Sequence, residues 1–205
     1  MLTKLKGAIL LATNNAGKLI ELQQLLSELE GLNLLTPKDV GINLDVEEVG
    51  HTYMENARLK GEAYRDVCGL TTLADDSGLE VDALGGEPGI WSARYSNQPG
   101  ASDADRRAFL LAKLAGKPRP WTARFVAWVV VAEPGEDVLF WEGECWGEII
   151  PEERGENGFG YDPIFFFPDL GKTMAELSDE EKNRISHRGN AVRGALPALK
   201  DIYQK

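Results

Sequence analysis

Two adjacent carboxylates, Asp75 and Asp76, stand at the end of an apolar run in Leu73-Ala74-Asp75-Asp76-Ser77-Gly78. Like charges this close raise each other's pKa, so keeping both ionised calls for a divalent metal or a basic neighbour. A strand that runs into this turn sets both acids at a strand end, where a loop opens onto a ligand. A second acidic pair, Glu47-Glu48, is flanked by Val46 and Val49 and reads as another strand end or edge, although such pairs are most often solvated charge. Magnesium needs only one or two protein carboxylates when substrate phosphates complete its shell. Glu48 with Asp76 supplies that number. Which of Glu47 and Glu48 faces a metal stays open, because a one-residue change of register flips the side.

Cations stand where a polyanion would meet them. Thr13-Asn14-Asn15-Ala16-Gly17-Lys18 follows a first apolar strand and leads into a helix. Lysine at a helix start opposes the helix dipole, which makes sense if ammonium and unpaired N–H groups both face a phosphate. The stretch is not a Walker A loop, since Ala12 replaces its first glycine and Leu19 its Ser or Thr. A helix capped by Asn15 with a solvated lysine is the simpler alternative. Lys60, on the helix expected over Tyr53 to Val67, either reaches the same anion or faces water.

A third group of residues suits a flat ligand. Gly155-Glu156-Asn157-Gly158-Phe159-Gly160-Tyr161-Asp162-Pro163 is glycine-rich, aromatic and acidic. Its glycines let backbone approach a ring, Phe159 or Tyr161 can stack on it, and Asp162 can accept from ring N–H groups, a familiar way to read one base. Lys182, His187 and Arg188 add donors nearby in a chain whose net charge is −11. A local basic cluster beside such a loop favours an anionic aromatic ligand, which means a nucleotide.

The positioning elements follow from periodicity. Leu22, Leu25, Leu26 and Leu29 give the first helix one apolar face, and a strand is expected over residues 32–36. Gly85 to Tyr95 reads as a rigid Gly/Pro loop. Ser102-Asp103-Ala104-Asp105 opens a capped helix with Phe109, Leu110 and Leu114 packing inward. Residues 123–131 and 137–150 read as an antiparallel pair turning at Pro134-Gly135-Glu136. A buried strand is expected over 164–167. Ser178 caps a short helix that carries Lys182. Ile185-Ser186-His187-Arg188-Gly189 breaks it before a last amphipathic helix, which Pro197 should kink.

The 205 residues suit one domain or two closely joined lobes. The negative charge argues against a duplex nucleic acid or an anionic membrane as partner. Two cysteines fit neither a metal knuckle nor a disulfide framework, and two histidines are too few for a zinc site unless carboxylates join them. Lys4 and Lys6 ahead of the apolar Gly7–Ala12 imitate a secretory leader, but the run is too short and no cleavage site follows. A reducing cytoplasm is the expected setting.

Five stretches stand in a telling order: Thr13 to Lys18, Ala74-Asp75-Asp76-Ser77-Gly78-Leu79, Pro88-Gly89-Ile90-Trp91-Ser92-Ala93-Arg94-Tyr95, Gly158 to Pro163, and Ile185 to Gly189. In this order they resemble the inosine/xanthosine triphosphate pyrophosphatase family, over nearly the whole chain. Trp91 departs from the Tyr expected there, and should pack rather than react. The resemblance implies an elongated α/β fold with a central mixed sheet flanked by helices, two lobes with an active-site cleft between them, and a homodimer. It implies magnesium-dependent hydrolysis of a noncanonical purine nucleoside triphosphate to the monophosphate and pyrophosphate. Asp76 is implied as general base, and Glu48 with Asp76 as the metal site, with Glu47 or Asp75 assisting. Thr13, Asn14, Asn15, Ala16, Gly17, Lys18, Lys60, Ser77, Lys182 and Arg188 are implied as triphosphate and sugar contacts. Phe159, Gly160, Tyr161 and Asp162, with His187 and Arg188, are implied as the base pocket. A sibling pyrophosphatase for other nucleotides and a nucleotide sensor without turnover are the alternatives.

Overall fold

The computed structural model describes residues 7–29 and 31–203, so Lys4 and Lys6 lie outside the described residues. Its strands are β1 (Ala8–Leu11), β2 (Asn33–Leu35), β3 (Thr71–Val81), β4 (Trp121–Ala132), β5 (Leu139–Ile149), β6 (Phe165–Phe167) and β7 (Lys172–Thr173). The helices are α1 (Ala16–Leu26), α2 (Tyr53–Cys68), α3 (Asp103–Leu114), α4 (Asp179–Ile185) and α5 (His187–Tyr203). The strands form one seven-stranded sheet in the order β2-β1-β3-β4-β5-β6-β7. β1 runs parallel to β2 and β3, whereas β6 is antiparallel to β5 and β7, so the sheet is mixed.

The chain divides into two compact units, one drawn from Met1–Asp76, Ala127–Gly143 and Arg188–Lys205, the other from Ser77–Val126 and Glu144–His187. Strand alternation builds the first unit, because successive side chains leave a strand on opposite faces. Ile9, Leu11 and Leu73 pack on one face with Leu22 and Leu26 of α1 and Val192, Ala195 and Leu199 of α5. Leu10, Ala12 and Ala74 pack on the other with Ala57 and Tyr64 of α2. Gly61 lets α2 lie close, since a Cβ there would sit 3.0 Å from Val130 Cγ2. The second unit closes around Leu79, Val81, Phe125, Ile149 and Phe165, with Leu110 and Leu114 of α3 on top.

Most expected elements form where periodicity put them, and several expectations need correction. β3 does not turn after Asp76 but continues to Val81. Gly78 keeps a backbone φ outside the left-handed region, and the Leu79 N–H is satisfied by Ser92 Oγ at 2.8 Å. Residues 45–50 form no strand, because the Leu44 carbonyl beside them accepts from Asn14 Nδ2 and Tyr64 Oη instead of a ladder. The stretch from Gly85 to Tyr95 is largely helical, with a 3-10 turn over Gly89–Arg94. The break between α4 and α5 is the single extended residue Ser186, so His187 already begins α5. Trp91 is 55% exposed, with the Arg94 guanidinium 5.1 Å over its ring, so it does not pack in a core. Phe109 is half-buried and meets Tyr95 edge-on, with ring centroids 5.2 Å apart.

Candidate active site

Because β3 stays extended through Asp75 and Asp76, the two acids point to opposite faces, and each finds its own cations. Asp76 follows Ala74 toward α2. Lys60 lies on the α2 face that also carries Asn56, Ala57 and Tyr64, at helical spacing. Its Nζ donates to Asp76 Oδ1 at 2.9 Å and to Glu48 Oε1 at 2.8 Å. Asn56 ties the cluster together. Its Nδ2 lies 3.5 Å from Asp76 Oδ2, and its Oδ1 accepts from Gly50 N at 2.8 Å, two residues past Glu48. A side chain at Gly50 would place Cβ 2.7 Å from that Oδ1. Glu48 is half-buried and Glu47 exposed, so Glu48 is the acid turned toward Asp76.

Asp75 follows Leu73 toward α1 and α5. Lys18 Nζ stands 3.1 Å from its Oδ2. Arg188, 1% exposed, donates to the same oxygen through Nε at 3.0 Å and Nη2 at 2.9 Å, and through Nη1 to Glu21. Lys18 and Glu21 are three apart on α1 and share a face. Asn15 caps that helix, its Oδ1 accepting from Lys18 N at 3.0 Å, while Thr13 Oγ1 accepts from Asn15 N. Asn14, Asn15 and Ala16 are exposed, and Gly17 is half-buried.

Burial raises the Asp76 carboxyl above the ordinary carboxylate range against the pull of Lys60 and Lys18. Asp75 goes the other way: burial resists, but Lys18 and Arg188 hold it well below that range. Burial draws the Lys18 ammonium down in spite of Asp75. Lys60 is also penalised by burial, yet Asp76, Asp75 and Glu48 raise it overall. Four carboxylates (Glu21, Glu48, Asp75, Asp76) thus meet three cations (Lys18, Lys60, Arg188).

Among the described residues, no group of three or more His, Cys, Asp and Glu side chains is arranged to hold a metal by itself. Glu48 and Asp76 nonetheless fit magnesium, which takes hard oxygen donors and leaves most of its shell to phosphates and water. Asp75 Oδ1 is buried without a hydrogen-bond partner, on the face of β3 opposite Glu48 and Asp76.

The second unit holds the other expected residues. Asp162 Oδ2 accepts from Phe159 N at 2.9 Å and from Lys182 Nζ at 2.5 Å, and that ammonium lies 5.1 Å from the Phe159 ring centroid. Phe159 and Gly160 are half-buried. Tyr161 points into the core and donates to the Ser92 carbonyl at 2.9 Å, which leaves Phe159 as the ring that can stack on a ligand. His187 is buried, stacked on Phe125 at 4.7 Å with Cys145 Sγ 3.9 Å from its Nδ1. Burial pushes that thiol up to about 12, which disfavours a thiolate there. Ser77, half-buried, is the residue of β3 that follows Asp76. Lys182 pairs with Asp162, and Arg188 pairs with Asp75 and Glu21.

Sequence reasoning passed over Glu21 and left Asn56 without a role. The available signal was an acid at a position adjoining the buried Leu22, and an amide in register with Lys60 on α2.

In this α/β protein the buried acid–ammonium cluster beside a helix N-terminus suits a phosphorylated ligand, and the glycine-rich aromatic loop suits a flat ring. Comparison with known proteins narrows that class. The chain belongs to the Ham1 family, whose model matches residues 9–198. It is 49% identical to a dITP/XTP pyrophosphatase of Thermus thermophilus over 196 residues, covering 94% of this chain and 92% of the relative. It is 50% identical to the dITP/XTP pyrophosphatase of Gloeobacter violaceus over 188 residues, 92% of each. Among solved structures, the Ham1 protein of Staphylococcus aureus matches with a TM-score of 0.82 at 42% identity, over 95% of this chain and 98% of that one. A HAM1 protein from Coxiella burnetii gives 0.84 at 40% identity, with the same coverage. Among the described residues no helix is long and apolar enough to cross a membrane.

Proposed function

We propose that this chain hydrolyses noncanonical purine nucleoside triphosphates (ITP, dITP and XTP) to the monophosphate and pyrophosphate, clearing deaminated nucleotides from the pool. The observation that carries this is the meeting of Glu48, Lys60 and Asp76 within hydrogen-bond distance, in a chain nearly half identical to proteins named for that activity.

Asp76 is the general base in this reading. Its raised pKa makes it a stronger proton acceptor than an ordinary carboxylate, and Asn56 restrains its second oxygen. A well-placed base contributes on the order of 10²–10⁴-fold. Glu48 and Asp76 would hold magnesium, which when bound neutralises phosphate charge and polarises the attacked phosphorus. Lys18, Lys60 and the exposed N–H groups at the start of α1 offset the rest of the triphosphate charge. Thr13 to Gly17 and Ser77 frame it.

Phe159 stacks on the base, and Asp162 with Lys182 reads its edge. A 6-oxopurine carries a proton on N1 that a carboxylate can accept, and adenine does not. An unmatched buried partner costs about 1–3 kcal/mol. His187 and Arg188 act through buried contacts, His187 on Phe125 and Arg188 on Asp75 and Glu21. A homodimer in the cytoplasm belongs to the same proposal, and a monomer in sedimentation would count against it.

The test is release of pyrophosphate from dITP or XTP with magnesium. Release of single phosphate instead would remove the assigned cleavage point.

A further inference from the structure

The base-reading loop is gripped from outside by two residues that no part of the proposal so far uses. Asp103 and Arg107 stand four apart in α3 and so share one helix face. Gly160 N donates to Asp103 Oδ2 at 2.8 Å, and Arg107 Nη1 donates to Gly160 O at 2.9 Å. The two side chains thereby hold both polar atoms of one residue, whose neighbours on either side are Phe159 and Tyr161.

Each arm of the grip is itself fixed. Arg107 is turned by Glu153, which accepts from its Nε at 2.9 Å and Nη2 at 2.8 Å, the two-pronged geometry that only a guanidinium supplies. Asp103 is also paired with Arg106 through its other oxygen. The helix does not need Asp103 for its cap, because Ser102 and Asp105 form the capping box. Burial opposes ionisation of Asp103, but the Gly160 N–H and Arg106 draw its carboxyl below the ordinary range. Asp162, on the inner side, ties back to Phe159 through Phe159 N and its own N–H at 3.2 Å to Phe159 O. A glycine at φ +64 between them has no side chain of its own to limit how it moves.

We infer that Asp103 and Arg107 are positioning residues for base selection: they fix the Gly160 peptide, and with it the relative placement of the Phe159 ring and the Asp162 carboxylate. This rests on the reading of 159–162 as the base-reading loop. Loss of either arm loosens a rigid template, so a 6-oxopurine loses its advantage over adenine while phosphate chemistry at Asp76 is untouched.

The experiment compares kcat and KM for ITP and ATP in Asp103→Ala, Asp103→Asn, Arg107→Ala, Arg107→Lys and Phe159→Ala, with folding checked by circular dichroism. The expected result is a rise in KM for ITP of about tenfold, the scale of one charge-assisted hydrogen bond, with kcat within about twofold. The ITP/ATP ratio of kcat/KM falls in parallel. Asp103→Asn, which keeps an acceptor for Gly160 N, stays closer to the wild type than Asp103→Ala. Arg107→Lys recovers part of the ratio, since one ammonium cannot serve Gly160 and Glu153 as the fork does. An unchanged ratio in the α3 variants, with a fallen ratio in Phe159→Ala, overturns the grip and leaves the base-reading loop standing. An unchanged ratio in Phe159→Ala overturns the loop assignment and the grip with it. An equal loss on both nucleotides in the α3 variants reduces Asp103 and Arg107 to structural support.

Discussion

Lys60 Nζ lies 2.9 Å from Asp76 Oδ1 and at the same time 2.8 Å from Glu48. One ammonium therefore does for these two carboxylates what a bridging cation would do. Without it, each acid would raise the other's pKa, and burial already pushes Asp76 up. The geometry also explains how a site rich in acids can admit a polyphosphate, because Lys60 can exchange a carboxylate for a phosphate oxygen once a second cation shares the load.

Lys60→Met should therefore expose a debt that a metal can settle. In chelator, the variant is expected to unfold at lower urea than the wild type, by about 1–3 kcal/mol, less than a fully buried pair because the group keeps some solvent. Magnesium should restore more stability to the variant than to the wild type. Equal magnesium effects on the two proteins would mean that Lys60 and the ion do not serve the same acids.

Asp76→Asn separates catalysis from stability. The amide keeps the shape and a hydrogen-bonding oxygen but cannot take a proton, so at saturating magnesium kcat should fall by about 10²–10⁴-fold. Asp76 has a raised folded pKa, so at neutral pH its ionised form is a burden on the fold. The neutral variant removes that burden but leaves the Lys60 ammonium with Glu48 alone, so the two effects on stability oppose each other. Full turnover in Asp76→Asn would remove it as the base.

The fold was legible wherever local pattern decides: the capped starts of α1, α3 and α4, the leucine face of α1, and the long strands. Candidate site residues could be named from the sequence, but not their arrangement. Asp75 and Asp76 are adjacent in sequence and suggested one shared cation, whereas an extended β3 sends them to opposite faces, with Lys18 and Arg188 on one and Lys60 on the other. Gly78 favoured a turn locally, and tertiary pairing of β3 overrode it. Arg188 read as a donor to the ligand, because a single sequence does not reveal that Glu21, 167 positions away, pairs with it. Tyr161 and Phe159 were interchangeable on paper; only the Ser92 carbonyl assigns Tyr161 to the core.

The Arg188–Asp75 pair predicts how the protein meets acid. The folded pKa of Asp75 lies below its unfolded value of 3.8. Its stabilisation is thus present above that value and is lost as pH falls toward the folded pKa. Asp75→Asn should lower stability at neutral pH and flatten the loss between about pH 5 and the acid limit. Arg188→Met should be worse, costing about 3–5 kcal/mol, because Glu21 loses its guanidinium partner and Asp75 keeps only Lys18. Denaturant titrations at several pH values give both slopes. A parallel curve for Asp75→Asn would show that Asp75 is not among the groups that protonate on unfolding.

Gly158 and Gly160 offer a test in which two neighbouring glycines should behave differently. Both have positive φ, +76 and +64, so alanine at either costs about 1–2 kcal/mol in backbone strain. At Gly160 a Cβ would meet open space, but at Gly158 it would lie 2.0 Å from Asp162 Oδ2 and 3.0 Å from Lys182 Nζ. That carboxylate is short, buried and committed to Phe159 N and Lys182, so it has to leave its place. Gly160→Ala should show the stability cost with a modest change in kinetics. Gly158→Ala should in addition raise KM for dITP about tenfold or more, since it displaces the acceptor that reads the base edge and strands the Lys182 ammonium. Steady-state kinetics with urea unfolding on both variants separates strain from displacement. Matching KM values would show that the Asp162 carboxylate takes no part in binding the base.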